Sequence, residues 1–155
     1  PMEKTSVADA TPSKGSSSVT RSLAETLGVE HFEWIYFEVE PGQPFSVCYH
    51  AHPDEEEMFY VLEGPATFDT EDRPIHVGAN EVVRFAPGEF QFGYNDTDET
   101  VTALAFSAPK DPERGGIIEC PECGEREAPE TETTDDGRAT IILCAACGAE
   151  VNVKD

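Results

Sequence analysis

The sequence predicts an all-β protein in which one barrel or sandwich is followed by a small module held together by four cysteines. Three observations predict it. Short runs of β-branched and aromatic residues recur between residues 31 and 107, each closed by a turn signal and with no long helical pattern between them. Two Cys-x-x-Cys pairs stand together near the end of the chain. A length of 155 residues supports one ordinary core plus an appendage too small to fold without a staple.

In chain order, residues 1–18 are rich in Ser, Thr, Pro, Ala and Lys with almost no large apolar side chain, a composition that predicts a disordered arm. From Thr20 to Leu27 a short helix is expected, with Leu23 and Leu27 one turn apart and Gly28 as its left-handed stop. The stretch His31 to Val39 reads as a strand that is apolar on both faces, with Phe32, Trp34 and Tyr36 on one and Ile35, Phe37 and Val39 on the other. Such a strand needs cover on both faces. One face points into the barrel; the other packs on the helix or on a second subunit, which would make a homodimer.

After Pro41-Gly42 the strand-like runs are Phe45 to His52, Met58 to Leu62, Ala66 to Asp69, Pro74 to Val77, Glu81 to Phe85, Gln91 to Tyr94 and Val101 to Ser107. Breaks fall at Pro53-Asp54, Gly64-Pro65, Glu71-Asp72, Gly78-Ala79-Asn80, Pro87-Gly88 and Asn95-Asp96. The barrel is thus expected over residues 19–108, a polar linker over 109–116 and the cysteine module over 117–155.

Acidic residues outnumber basic ones 32 to 10, for a formal charge of -22. That balance argues against nucleic acid and anionic lipid as partners. Only four lysines occur, and the carboxylates are spread over every segment, a pattern that resembles the cytoplasmic proteins of salt-accumulating halophiles. At molar salt the Debye length falls to about 3 Å, so carboxylate repulsion is screened while hydration keeps the surface soluble. The alternative is an ordinary acidic protein. With five cysteines in a metal-type pattern and no charged, apolar leader ahead of the domain, a reduced cytoplasm is the expected compartment. No apolar run approaches the ~20 residues a membrane helix needs, so no membrane partner is expected.

His50 and His52 lie two apart in a run of strand character, which puts both imidazoles on one face, about 7 Å apart along the chain. The Pro53-Asp54-Glu55-Glu56 turn then brings Glu57 back beside them. Two imidazoles and one carboxylate suit iron(II), and manganese, nickel or zinc also fit. The competing reading is a pair of solvated histidines beside an acidic run. The same strand parity places Ser46 and Cys48 inward, and the next strand adds Phe59 and Val61. Phe85, Phe90 and Phe92 cluster further on. Each of these lines a barrel mouth or simply packs the core. Arg84 reads as a surface ion-pair partner or a counter-charge for a ligand, and His31 and His76 read as structural.

These residues carry a family resemblance. His50-Ala51-His52, four residues, Glu57, six residues and Gly64 resemble the first motif of the cupins, most closely in the run Glu56 to Gly64. Gly78 to Asn95, with Pro87-Gly88 at its loop, resembles the second motif. The resemblance covers roughly residues 32 to 108 and implies a double-stranded β-helix of six to eight strands with its site inside. It also implies metal ligation by His50, His52 and Glu57. The family places a further histidine three residues after the Pro-Gly pair, where this chain has Gln91; that position carries over, with a neutral amide oxygen as a weaker ligand than imidazole.

The pairs Cys120-Pro121-Glu122-Cys123-Gly124 and Cys144-Ala145-Ala146-Cys147-Gly148 are separated by twenty residues, the spacing of a four-thiolate zinc site. Each glycine permits the tight turn that aims amide hydrogens at sulfur. The module resembles zinc ribbons, with a hairpin turn at Asp136-Gly137 and short strands at Ile141 to Leu143 and Val151 to Val153. Iron in the same cage, or a redox dithiol, are the chemical rivals. Arg126, Arg138 and Lys154 are outnumbered by acids in this segment, so a protein partner or the barrel itself is expected to meet it, and not nucleic acid.

Two functions from different classes follow. One is a cupin-type protein binding a divalent metal and a small polar metabolite, as a metal-dependent oxygenase or isomerase. The other is a non-catalytic ligand-sensing or protein-interaction module whose barrel is metal-free. The two histidines and Glu57 favour the first and Gln91 stands against it; the extra cysteine module favours the second.

Overall fold

The computed structural model describes residues 1–137 and 140–151. Its elements are β1 (Thr11–Pro12), β2 (Val19–Ser22), α1 (Leu23–Leu27), β3 (Glu33–Val39), β4 (His50–Ala51), β5 (Glu56–Glu63), β6 (Ala66–Thr70), β7 (Ile75–Val77), β8 (Val82–Phe85), β9 (Gln91–Tyr94), β10 (Val101–Ala108), β11 (Ile117–Glu119), β12 (Arg126–Glu127), β13 (Glu130–Thr133) and β14 (Thr140–Leu143). One six-stranded sheet has the order β1-β2-β3-β10-β5-β8, a second β12-β11-β4-β9-β6-β7, and β13-β14 form a hairpin. Every ladder is antiparallel. This is the all-β architecture predicted, a double-stranded β-helix with a small ribbon.

The two six-stranded sheets share one core. Alternation along β3 sends Phe37 and Val39 inward, β5 sends Phe59 and Val61, and β10 sends Val101, Ala103 and Ala105. From the facing sheet come Ala66, Phe68 and Val77. Phe68 is fully buried and stacks on Phe45, with ring centroids 5.7 Å apart, and also meets Phe59 and Phe85 at 4.9 and 5.5 Å. Gly93 is required beneath it: a Cβ there would lie 2.5 Å from the Phe68 ring. The barrel interior is therefore filled with aromatic rings at its centre, and any site must sit at an end.

The outer face of β3 is covered in part from within the chain. Trp34 stacks on Phe106 of β10 at 5.6 Å, and β2 pairs alongside β3. Helix α1 is shorter than expected because Ser22 takes the N-cap, accepting from the Glu25 amide, and β2 occupies the residues before it. Gly28 ends the helix in the left-handed conformation, as predicted.

Residues 1–18 differ from the disordered arm expected of them. Ala10 is buried, Thr11 and Pro12 pair with Arg21 and Ser22, and the Thr11 amide donates to Thr26 Oγ1 at 2.8 Å. Backbone hydrogen bonds anchor this segment, and composition counts only apolar side chains. The run Phe45 to His52 also differs: only His50 and Ala51 are strand, because the Phe45 amide bonds to the Gly93 carbonyl and the chain bends over residues 45–49. Part of the strand expected at Val151 to Val153 lies outside the described residues, as do Arg138 and Lys154; Val151 itself is buried.

Asn95, just after β9, is fully buried and its side chain makes four hydrogen bonds. Its amide donates to the carbonyls of Val39 and Glu99 at 2.8 and 2.7 Å, and its Oδ1 accepts from the Thr97 amide and hydroxyl. Asn95→Ala strands several of these groups, and each buried unsatisfied group costs about 1–3 kcal/mol. Denaturant unfolding should show a loss of about 2–4 kcal/mol; a change within experimental error would mean that water replaces the amide.

Candidate functional site

Four side chains from three strands and one loop meet at one end of the barrel. The β4–β9 ladder places His50 directly opposite Gln91. Glu57 enters from β5, where it stands between Phe85 of β8 and Ser107 of β10. His52 follows β4 by one residue. The Gln91 amide nitrogen donates to Glu57 Oε2 at 3.1 Å and lies 3.5 Å from His50 Nε2. His52 Nε2 is 3.5 Å from the same Glu57 oxygen. The ligand atoms of His50, His52 and Glu57 all lie within 4.8 Å of one another.

The outer nitrogens of both imidazoles are tied back. His50 Nδ1 is 2.8 Å from the Cys48 carbonyl, which can only accept, so Nδ1 carries the proton and Nε2 is left with its lone pair. His52 Nδ1 lies 3.2 Å from Glu55 Oε2. A metal-binding imidazole is held and oriented in this way. Glu55 and the Cys48 carbonyl, which hold the two rings, are the groups at this site that the sequence did not single out; for Glu55 the signal was its place three residues after His52.

Burial lowers the pKa of His50 and of His52, which keeps both rings neutral. Burial pushes Glu57 up to about 7, against the lowering effect of the Gln91 hydrogen bond and with the charge of Glu55 adding to the rise. Two neutral imidazoles and a buried carboxyl on converging directions are a donor set that fits a divalent transition ion. Gln91 is 3% exposed and presents its NH2 to Glu57. Its carbonyl would face the site only after the amide turns over.

The other candidates sort cleanly. Phe59, Val61 and Phe85 are core. Phe90 packs on Tyr49 and lies under the Arg126 guanidinium, and Phe92 packs on Tyr94. Arg84 pairs with Glu56 on the surface. His76 bonds to Thr67. Cys48 departs from the inward parity read from sequence: the bend at 45–49 turns it out of the barrel and into a second cluster with Ile118, Cys120, Cys144 and Val151, where burial pushes its thiol up to about 11.

That second cluster surrounds the four-cysteine site. Cys120 and Cys147 sulfurs are 3.7 Å apart, those of Cys123 and Cys144 3.6 Å, and all four fall within 4.8 Å. A tetrahedron with metal–sulfur bonds of about 2.3 Å has edges of about 3.8 Å, so the cage fits zinc or iron in size. The two knuckles repeat one geometry: Gly124 N bonds to Cys120 O and Gly148 N to Cys144 O, with both glycines left-handed. The amides of Cys123 and Glu122 outweigh desolvation and hold the Cys120 thiol down to about 7.

The ribbon is built onto the barrel. Strand β11 pairs with β4, Ile118 against His50 and Ile117 against Ala51, so the second sheet of the barrel continues into the ribbon. Arg126 bonds to Glu71 and Glu119 and sits 4.2 Å from the Phe90 ring centroid. Arg114 spans Asp54 with three short contacts. Among the described residues no helix is long and apolar enough to cross a membrane.

A double-stranded β-helix carrying a histidine and carboxylate centre at one end defines the class. Residues 35–107 match the family model described as the cupin domain, and the barrel is similar to the cupins over that span. Among solved structures, the chain is similar to a protein given as a candidate sugar phosphate isomerase from Acidithiobacillus ferrooxidans, at 28% identity over 70% of this chain and 67% of that one, with a TM-score of 0.59. A cupin-superfamily sugar phosphate isomerase from Silicibacter pomeroyi is similar over 97% of this chain and 93% of its own at 19% identity and a TM-score of 0.61, and an uncharacterised double-stranded β-helix protein from Klebsiella pneumoniae over 74% and 89% at 18% and 0.58. These last two show the fold. No curated protein matches the sequence.

Proposed function

We propose that the barrel end holds a divalent transition metal through His50, His52 and Glu57, with Gln91 hydrogen-bonded to Glu57 beside them, and that the protein isomerises a small phosphorylated sugar there. The observation that carries the metal reading is the convergence of three ligand atoms with both outer imidazole nitrogens already tied. Iron, manganese, nickel and zinc are all compatible with the donors. The Acidithiobacillus ferrooxidans structure supports the substrate class, since it is the similar structure with the highest identity named above. When bound, the metal would supply a Lewis acid for a substrate oxygen. The chain's own groups do the rest: Gln91 holds the Glu57 carboxyl, Glu55 and the Cys48 carbonyl aim the imidazoles, and the aromatic core beneath keeps water out. In the ribbon a closed four-thiolate zinc site leaves no open position, so its role is structural.

The test is to load the protein with manganese(II) and follow interconversion of aldose and ketose phosphates by carbon NMR. Turnover that disappears in His52→Ala supports the isomerase; binding of a sugar phosphate without turnover favours the sensing module, the reading that Gln91 favours.

Replacing Gln91 by histidine supplies imidazole where the amide stands. Gln91→His should tighten manganese(II) or nickel(II) binding at least about tenfold in calorimetric titration. His52→Ala should remove that gain, because both ligands act on one ion. An unchanged affinity would show that Gln91 lies outside the coordination sphere.

The charge carries a separate expectation for a halophile-like cytoplasmic protein. With a formal net charge of -22, the protein should show a markedly higher thermal midpoint in molar potassium chloride than in dilute buffer. A flat or falling midpoint would leave an ordinary acidic protein.

A further inference from the structure

We infer that the ribbon is a positioning element for the barrel centre: its metal-held core fixes Cys48 and β11, and these fix which way His50 faces. This rests on the metal reading given above for the barrel.

Two links join the ribbon to His50, and they meet at Ile118. The first runs through Cys48. Its side chain is 8% exposed and packs with Ile118, Cys120, Cys144 and Val151, while its carbonyl turns back to accept from His50 Nδ1 at 2.8 Å. The same residue is therefore part of the ribbon core and the group that sets the His50 tautomer. The second link is the ladder. Strand β4 has two residues and a single registered pair with β9, His50 with Gln91; its other edge is covered by β11, with the Glu119 amide donating to the Tyr49 carbonyl at 3.2 Å. Ile118, opposite His50, stands two residues from Cys120.

The ribbon core contains few apolar groups, so metal binding supplies its folding energy. Loss of the metal frees Cys48 and β11 together, and His50 then loses its Nδ1 acceptor and one side of its strand. His52 is held differently, by Glu55 and by a segment that Arg114 tethers at Asp54. Disturbance should therefore fall on His50 more than on His52. By linkage, ligation in the barrel and zinc in the ribbon should strengthen each other by the same factor.

The experiment uses the full chain and manganese(II) alone as probe, because manganese avoids thiolates. Zinc-loaded wild type is compared with Cys144→Ser/Cys147→Ser and with Glu119→Pro, which keeps all four cysteines and removes the amide bonded to Tyr49. Barrel folding is checked by circular dichroism. Both variants should lose about tenfold or more in manganese affinity, the usual cost of disturbing a ligand's outer partner. Nitrogen-15 spectra should show His50 as a single Nδ1–H tautomer in wild type and as an exchanging mixture in both variants, with His52 changed less. Removing zinc from wild type with a chelator gives the same spectral comparison should a variant fail to fold. Unchanged His50 signals overturn the positioning role, whatever the affinity does. A wild type that binds no manganese while His50 still responds to zinc loss overturns the metal reading and upholds the positioning role.

Discussion

Cys144→Ser should abolish tight zinc binding and melt the ribbon. The four sulfurs are spaced as a tetrahedral zinc or iron site requires, and among the described residues the buried ones around it are Ile118, Val151, Cys120 and Cys144 of the ribbon and Cys48 of the barrel. Such a segment cannot offset its own ordering entropy. Zinc contributes about 10 kcal/mol or more in comparable modules, so removing one thiolate forfeits most of what holds the fold. Elemental analysis of natively purified wild type should find about one zinc per chain in the ribbon, and the variant far less. Amide exchange should open the β13–β14 hairpin. A variant that keeps its zinc and its protected amides would contradict the assignment, and iron in wild type would replace zinc with its chemical rival.

Phe68→Ala should be the most damaging single change in the barrel. The side chain is fully buried, it contacts Phe45, Phe59 and Phe85, and Gly93 is shaped to admit it. Truncating a buried phenylalanine costs about 3–5 kcal/mol through lost transfer energy and the cavity left behind. Denaturant unfolding measures it directly; a loss under about 1 kcal/mol would mean that the neighbouring rings collapse into the space.

Much of this was legible in the residues. Turn signals at Gly64-Pro65, Pro87-Gly88 and Asn95-Asp96 bound real strands, and His50, His52 and Glu57, singled out by their spacing, lie with one donor atom each within 4.8 Å of the others. What was not legible depended on long-range pairing. Nothing near Ile117 shows that it will pair with Ala51, because that register is set across more than sixty residues by the ribbon and the barrel together. Cys48 misled for a local reason: parity holds only while a chain is extended, and at 45–49 it bends. Arm residues Ala10 to Pro12 misled because backbone hydrogen bonds hold them, with only the small Ala10 side chain buried beside them.

Because β11 pairs with β4, deleting the ribbon would uncover the edge beside His50, so metal binding by the barrel is measured on the full chain. Manganese(II) should be titrated calorimetrically into the full, zinc-loaded chain and into its His52→Ala variant. Wild type should bind about one equivalent beyond the metal of the ribbon, and His52→Ala none of comparable affinity. No binding by folded wild type, or binding that His52→Ala leaves unchanged, would contradict a metal centre at His50, His52 and Glu57.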